Sequence, residues 1–166
     1  MRLLALDPGY ERLGIAVLDK PAPGKGARGE KETLVYSDCF KTDKNLPHSE
    51  RLGLVGAELS RIIDEFAPQA VCLESLFFSK NQTTAIKVAE ARGVILYLAA
   101  KAGLPVYEYN PMEIKVAVTG YGKSDKPSVI AMTERLIKIN KKIRHDDEYD
   151  AIAVGLTCFA VERFAA

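Results

Sequence analysis

The run Arg2-Leu3-Leu4-Ala5-Leu6 is apolar after its first residue and stops at Asp7-Pro8-Gly9. A short apolar run closed by Pro and Gly predicts a buried strand over 2–7. Pro8 keeps Asp7 extended rather than helical. After the Gly9 turn a second apolar stretch, 13–18, predicts the return strand of a hairpin. Residues 21–30, PAPGKGARGE, are loop material. A third strand is predicted over 32–41, with Leu34, Tyr36 and Phe40 among its apolar members, and closes an antiparallel meander. The period then changes. Leu52, Val55, Leu59, Ile62 and Phe66 mark one face of an amphipathic helix, capped near Ser49 and ended by Pro68. The run 70–74, AVCLE, is again a short apolar stretch ending in an acid, and should return parallel to a central strand by a right-handed crossover. Residues 82–102 carry the longest helical pattern. Its second half is apolar nearly all round, which predicts deep burial or burial against a partner chain. Gly93 inside it costs roughly 1 kcal/mol relative to Ala, and close helix–helix approach would explain its presence. A fifth strand is predicted over 104–109. Short helices open at Pro111 and at Pro127, the latter running to Ile139, and a last helix covers 147–164. The order βββαβαβααα implies an α/β layered domain with a mixed five-stranded sheet.

A chain of 166 residues fits one domain, 1–166, with a sizeable core. No run approaches the roughly 18 apolar residues of a membrane span, and Asp7 interrupts any signal-peptide h-region. Cys39, Cys72 and Cys158 form no Cys-x-x-Cys pair, so neither a disulfide framework nor a zinc site is supported. A reducing cytoplasm is the simple inference. Net charge is only +1, but residues 112–145 hold Lys115, Lys123, Lys126, Arg135, Lys138, Lys141, Lys142 and Arg144 against Glu113, Asp125 and Glu134. Such a face suits a polyanion; a solvated helix face gives the same pattern.

The acids narrow the chemistry. Asp7 ends the first predicted strand and Glu74 the fourth. If these strands are parallel neighbours, about 4.8 Å apart, both carboxylates emerge at one sheet edge. Asp147 and Asp150 share a face at the start of the last helix. Acids in a first turn also complement the helix dipole, and Asp146 fits that role alone. Four carboxylates without sulfur or imidazole select Mg²⁺ or Mn²⁺, and two such ions roughly 3.5–4 Å apart support phosphodiester hydrolysis.

Beyond these acids stand Gly14 in the second strand, Phe77 and Lys80-Asn81 after Leu73-Glu74, and Ala91-Arg92-Gly93-Val94. Gly120-x-Gly122-x-x-x-Lys126-x-x-Val129 and Asp147-x-x-Asp150-Ala151 follow. In that order, over nearly the whole chain, these motifs resemble the RuvC-type crossover (Holliday) junction endodeoxyribonucleases of the ribonuclease H-like superfamily. The resemblance implies a three-layer nuclease domain in which Asp7, Glu74, Asp147 and Asp150 hold Mg²⁺, two ions per site with Mn²⁺ able to substitute. It implies that Phe77 stacks on an unpaired base and that Lys115 and Lys126 contact the DNA backbone; of the adjacent Phe77 and Phe78, either of which reads as core, Phe78 is the better core member. Lys123 and Arg92 are further candidates, Arg92 also reading as an ion-pair residue. It implies a homodimer that nicks two strands of a four-way junction in recombination and repair, partnered by the RuvA and RuvB branch-migration proteins. The 21–30 loop is long for the family and brings Lys25 and Arg28 into consideration, while Leu13 and Pro127 depart from its usual residues. Other readings fit less well. An actin–hexokinase nucleotide module needs two lobes, and the P-loop pattern fails at Ala117. A ribosomal-RNA-processing relative shares the first hairpin but not the later motifs. A catalytically idle junction binder would not need all four acids.

Overall fold

The computed structural model describes residues 1–9, 11–21, 31–75 and 82–164. The chain runs β1 (Arg2–Pro8), β2 (Arg12–Asp19), β3 (Thr33–Lys41), α1 (His48–Phe66), β4 (Ala70–Glu74), α2 (Gln82–Lys101), β5 (Val106–Tyr109), α3 (Pro111–Thr119), α4 (Lys126–Leu136) and α5 (Asp146–Val161). The sheet order is β3-β2-β1-β4-β5. β1–β2 and β2–β3 are antiparallel, whereas β1–β4 and β4–β5 are parallel. This is the predicted mixed sheet with β1 at its centre.

β1 is a continuous apolar run because helices cover both of its faces. Leu3 and Ala5 join Ala16, Leu18, Ala70 and Cys72 under α5, whose residues from Ala151 to Phe159 are buried. Leu4 and Leu6 point the other way, with Ile15, Val17, Val71 and Leu73, against Leu59 and Ile62 of α1 and Ile95 and Ala99 of α2. Side chains alternate faces along a strand, so the four residues Leu3 to Leu6 seed both cores.

Several boundaries differ from expectation, each for a local reason. α1 starts at His48, because the Pro47 carbonyl accepts from Glu50 and Arg51 N–H, both at 3.1 Å; Ser49 lies inside the helix rather than at its cap. β5 starts at Val106 because Leu104 N–H still closes the end of α2 on the Ala99 carbonyl at 2.9 Å. α4 stops at Leu136, where extended Ile137 turns into the core. α5 stops at Val161, and Phe164 folds back edge-on to Tyr107 and Phe159. The second half of α2 is buried on one face only: Ile95 and Ala99 are covered, while Tyr97 is 65% exposed. Among the described residues a Cβ added at Gly93 would meet nothing within 4 Å, so none of them makes the close approach that would explain that glycine. Among the described residues no helix is long and apolar enough to cross a membrane.

Candidate active site

Three elements deliver the acids. In the β1–β4 ladder Leu6 lies opposite Leu73, so Asp7 and Glu74, the next residues, leave the same edge of adjacent parallel strands. α5 reaches this edge across Gly14, which is the β2 partner of Asp7. A Cβ at Gly14 would lie 1.9 Å from the Asp147 carbonyl oxygen and 3.2 Å from the Asp7 Cβ. The first turn of α5 therefore rests on bare backbone beside Asp7. Glu148 fixes that turn from its far side. It is buried, accepts a 2.6 Å hydrogen bond from the Ser37 hydroxyl of β3, and pairs with Lys141. Asp147 and Asp150 are thereby presented to the sheet edge while the acid between them is anchored inward. Arg92 holds the end of β4, donating to the Glu74 carbonyl at 3.0 Å and pairing with Glu108.

The four acids form one electrostatic unit. Burial pushes the Asp7 carboxyl well above the usual range, and the charges of Asp150, Glu74 and Asp147 push it further. Glu74 is raised by burial and by Asp150. Asp150 is raised by burial, against the pull of Lys126. Like charges gathered in a half-buried site disfavour one another's ionised forms. Two cations answer them: Lys126 Nζ pairs with Asp150 and lies 3.5 Å from Asp146, and Arg12 Nη1 donates to Asp147 Oδ2 at 3.1 Å. Among the described residues no three Asp, Glu, His or Cys side chains are already gathered as a ligand set; Asp147 and Asp150 are engaged by Arg12 and Lys126 instead. The donor chemistry nevertheless fits a hard divalent cation. The adjacent thiol, Cys39, lies 3.9 Å from Asp147 Oδ2 and is pushed up to about 11 by burial and by Asp147.

Beside the acids lies a concavity of about 180 Å³ lined by Glu74, Asp150, Lys115, Lys126, Pro111, Ile114 and Val129. It joins two of the expected carboxylates to two of the expected lysines. Lys123 is exposed on the loop between α3 and α4 and does not line it. Of the predicted DNA contacts, Arg92 is buried and engaged in its ion pair. Phe77, with Phe78, Lys80, Asn81, Lys25 and Arg28, lies outside the described residues. Sequence reasoning missed Arg12, Ser37, Glu148 and Lys141. The available signal was slight: a third acid, out of phase with Asp147 and Asp150, and a serine at an inward strand position.

Comparison with known proteins places this geometry. The family model described as Crossover junction endodeoxyribonuclease RuvC matches residues 3–158. The crossover junction endodeoxyribonuclease RuvC of Thermosipho melanesiensis is 43% identical over 162 residues, covering 98% of each chain. That of Moorella thermoacetica is 39% identical over 156 residues, covering 94% of this chain and 89% of the other. Among solved structures, Thermus thermophilus RuvC in complex with a Holliday junction substrate superposes with a TM-score of 0.86 at 32% identity, covering 96% of this chain and 93% of that one. A mixed sheet with its acids at one edge, a family model spanning most of the chain and relatives matched end to end lead to one conclusion: the chain belongs to the RuvC family of crossover junction endodeoxyribonucleases.

Proposed function

We propose that the chain, acting as a single nuclease domain, resolves four-way DNA junctions with Asp7, Glu74, Asp147 and Asp150 as its metal-holding and catalytic residues. The observation that carries this is geometric: Asp7 and Glu74 end adjacent parallel strands in register, and the first turn of α5, with Asp147 and Asp150, rests on Gly14 beside Asp7. The preferred metal is Mg²⁺, with Mn²⁺ able to replace it, and two ions per site match the four-carboxylate donor set. Such ions supply water activation and charge stabilisation on the leaving oxygen. The chain's own part is to hold them, to exclude softer metals by offering oxygen alone, and to place a phosphate. Lys115 and Lys126, on the wall of the concavity that contains Glu74 and Asp150, supply cations for the DNA backbone, and Lys123 adds another from the neighbouring loop. Contacts of this kind set position and salt dependence rather than sequence choice. Phe77 lies three residues beyond the end of β4 in sequence and is the candidate for stacking on an unpaired base.

Two strands must be cut, so the working unit is a homodimer. The outer face of α2 supports it: Ile86, Gly93 and Tyr97 share one side of the helix, with Ile86 60% and Tyr97 65% exposed. RuvA and RuvB are the proposed working partners, and the cytoplasm the proposed compartment.

The test is a labelled four-way junction incubated with the protein and Mg²⁺ or Mn²⁺. Paired nicks appear with either ion, and Asp7→Asn binds the junction without cutting it. Cutting by Asp7→Asn would overturn the metal assignment.

A further inference from the structure

The α3–α4 loop carries a feature that the nuclease reading above does not use. Tyr121 stands 61% exposed at its tip, beside Met112 at 61% and Val116 at 49%. The residue after Tyr121 packs against the other two. The loop folds against the outer side of α3, so that a Cβ at Gly122 would come within 2.7 Å of Met112 Cγ and 3.3 Å of Val116 Cγ2. The loop is also pinned. Thr119 Oγ1 accepts the Tyr121 N–H at 3.2 Å, and the Tyr121 carbonyl accepts from Ser124 N–H at 3.1 Å and from Ser124 Oγ at 2.8 Å. The Thr119 and Ser124 hydroxyls bond each other at 2.7 Å. A ring held on such a loop loses little freedom on binding.

The surroundings say what would cover it. Lys115 and Lys126, which bracket the loop in sequence, both line the concavity that holds Glu74 and Asp150, and Lys123 is exposed on the loop itself. The two nearby acids are occupied by helix caps. Glu113 closes the capping box of α3 with Asn110, and Asp125 accepts from Ser128 N–H at the start of α4. An exposed aromatic and two exposed aliphatic side chains framed by lysines match the two surfaces of a nucleotide: an apolar base or sugar face and an anionic phosphate.

We propose that Tyr121, on a loop packed against Met112 and Val116, is a stacking platform for a nucleotide in the DNA arm leaving the cutting site, with Lys115 and Lys123 taking the adjacent phosphates. The inference rests on the acid cluster being the site of cutting, and it names a base-contacting residue in addition to Phe77.

Binding of a fluorescent four-way junction to the full-length protein in chelator, over a range of salt concentrations, tests it without cleavage. Tyr121→Ala retains both backbone groups that pin the loop, so its melting temperature stays that of the parent. It should weaken junction binding roughly tenfold, within the range of a single base–aromatic stack, and leave the salt slope unchanged. Tyr121→Phe should bind within about twofold of the parent. Lys123→Gln should lower the salt slope by about one charge. A 2-aminopurine placed stepwise along the arms should be quenched at one position and recover in Tyr121→Ala. Binding by Tyr121→Ala within about twofold of the parent, or Tyr121→Phe as weak as Tyr121→Ala, would overturn the proposal. Both outcomes are independent of whether Asp7→Asn cuts, so failure of the platform and failure of the metal site are read separately.

Discussion

At the scale of single residues, the surroundings of Asp7 disfavour its ionised form. Its carboxyl is raised by burial and by Asp150, Glu74 and Asp147, and Glu74 and Asp150 are raised with it. A group whose folded pKa exceeds its unfolded one adds stability that is complete below the unfolded value and lost as pH rises through the folded one. In chelator, these three acids therefore pull the melting temperature down as the solution goes from acidic to neutral. Asp19, lowered by its hydrogen bonds from Arg2, acts in the opposite sense, its contribution being lost as pH falls. Asp7→Asn should melt higher than the parent at neutral pH and show a flatter pH profile by scanning calorimetry. Parallel profiles for the two proteins would contradict the burial and crowding of Asp7. Gly14 tests the same site from the backbone. With the Asp147 carbonyl 1.9 Å from a would-be Cβ, Gly14→Ala must push the first turn of α5 away. The expected results are a loss of about 1–3 kcal/mol in urea unfolding and at least a tenfold fall in cleavage rate, with junction binding little changed.

At the scale of elements, α5 unites core and chemistry. Its middle is buried against one face of β1 and β2, where Gly155 lets it press onto Leu18 and Ala5. Its first turn carries Asp147 and Asp150. Glu148 locks that turn to β3 through Ser37 and to the preceding loop through Lys141. Glu148→Ala leaves the buried Ser37 hydroxyl without its carboxylate and should cost about 1–3 kcal/mol, read as a lower urea midpoint at unchanged m-value. Glu148→Gln keeps an acceptor for Ser37 and loses only the pairing with a half-exposed lysine, so it should fall between Glu148→Ala and the parent. Equal loss in both variants would show that the charge, not the hydrogen bond, fixes the helix.

At the scale of the whole molecule, the outer face of α2 leaves Ile86 and Tyr97 in water on the side opposite its packing against α1 and β1. A two-fold partner laid along this face would cover both, with Gly93 permitting close approach of the two helices. The double variant Ile86→Asp/Tyr97→Asp should sediment as a monomer and convert paired cleavage of a junction into single nicks. A double variant that still sediments as a dimer would place the interface elsewhere.

The sequence alone carried the element order, because its apolar periods switch cleanly between strand and helix and each switch is punctuated by Pro or Gly. It also carried the four acids, since a charge that ends a buried strand or opens a buried helix stands out against the apolar run it interrupts. Helix ends such as Leu136 and Val161 were not legible, because there a long-range contact of Ile137 or Phe164 overrides local propensity. The supporting residues of the site were hidden for the same reason. Arg12 and Asp147 are 135 positions apart in the chain, and Ser37 and Glu148 are 111 apart. Local pattern has no access to such pairs. Only the crossing of α5 over Gly14, set by close packing of helix on sheet, decides that they meet.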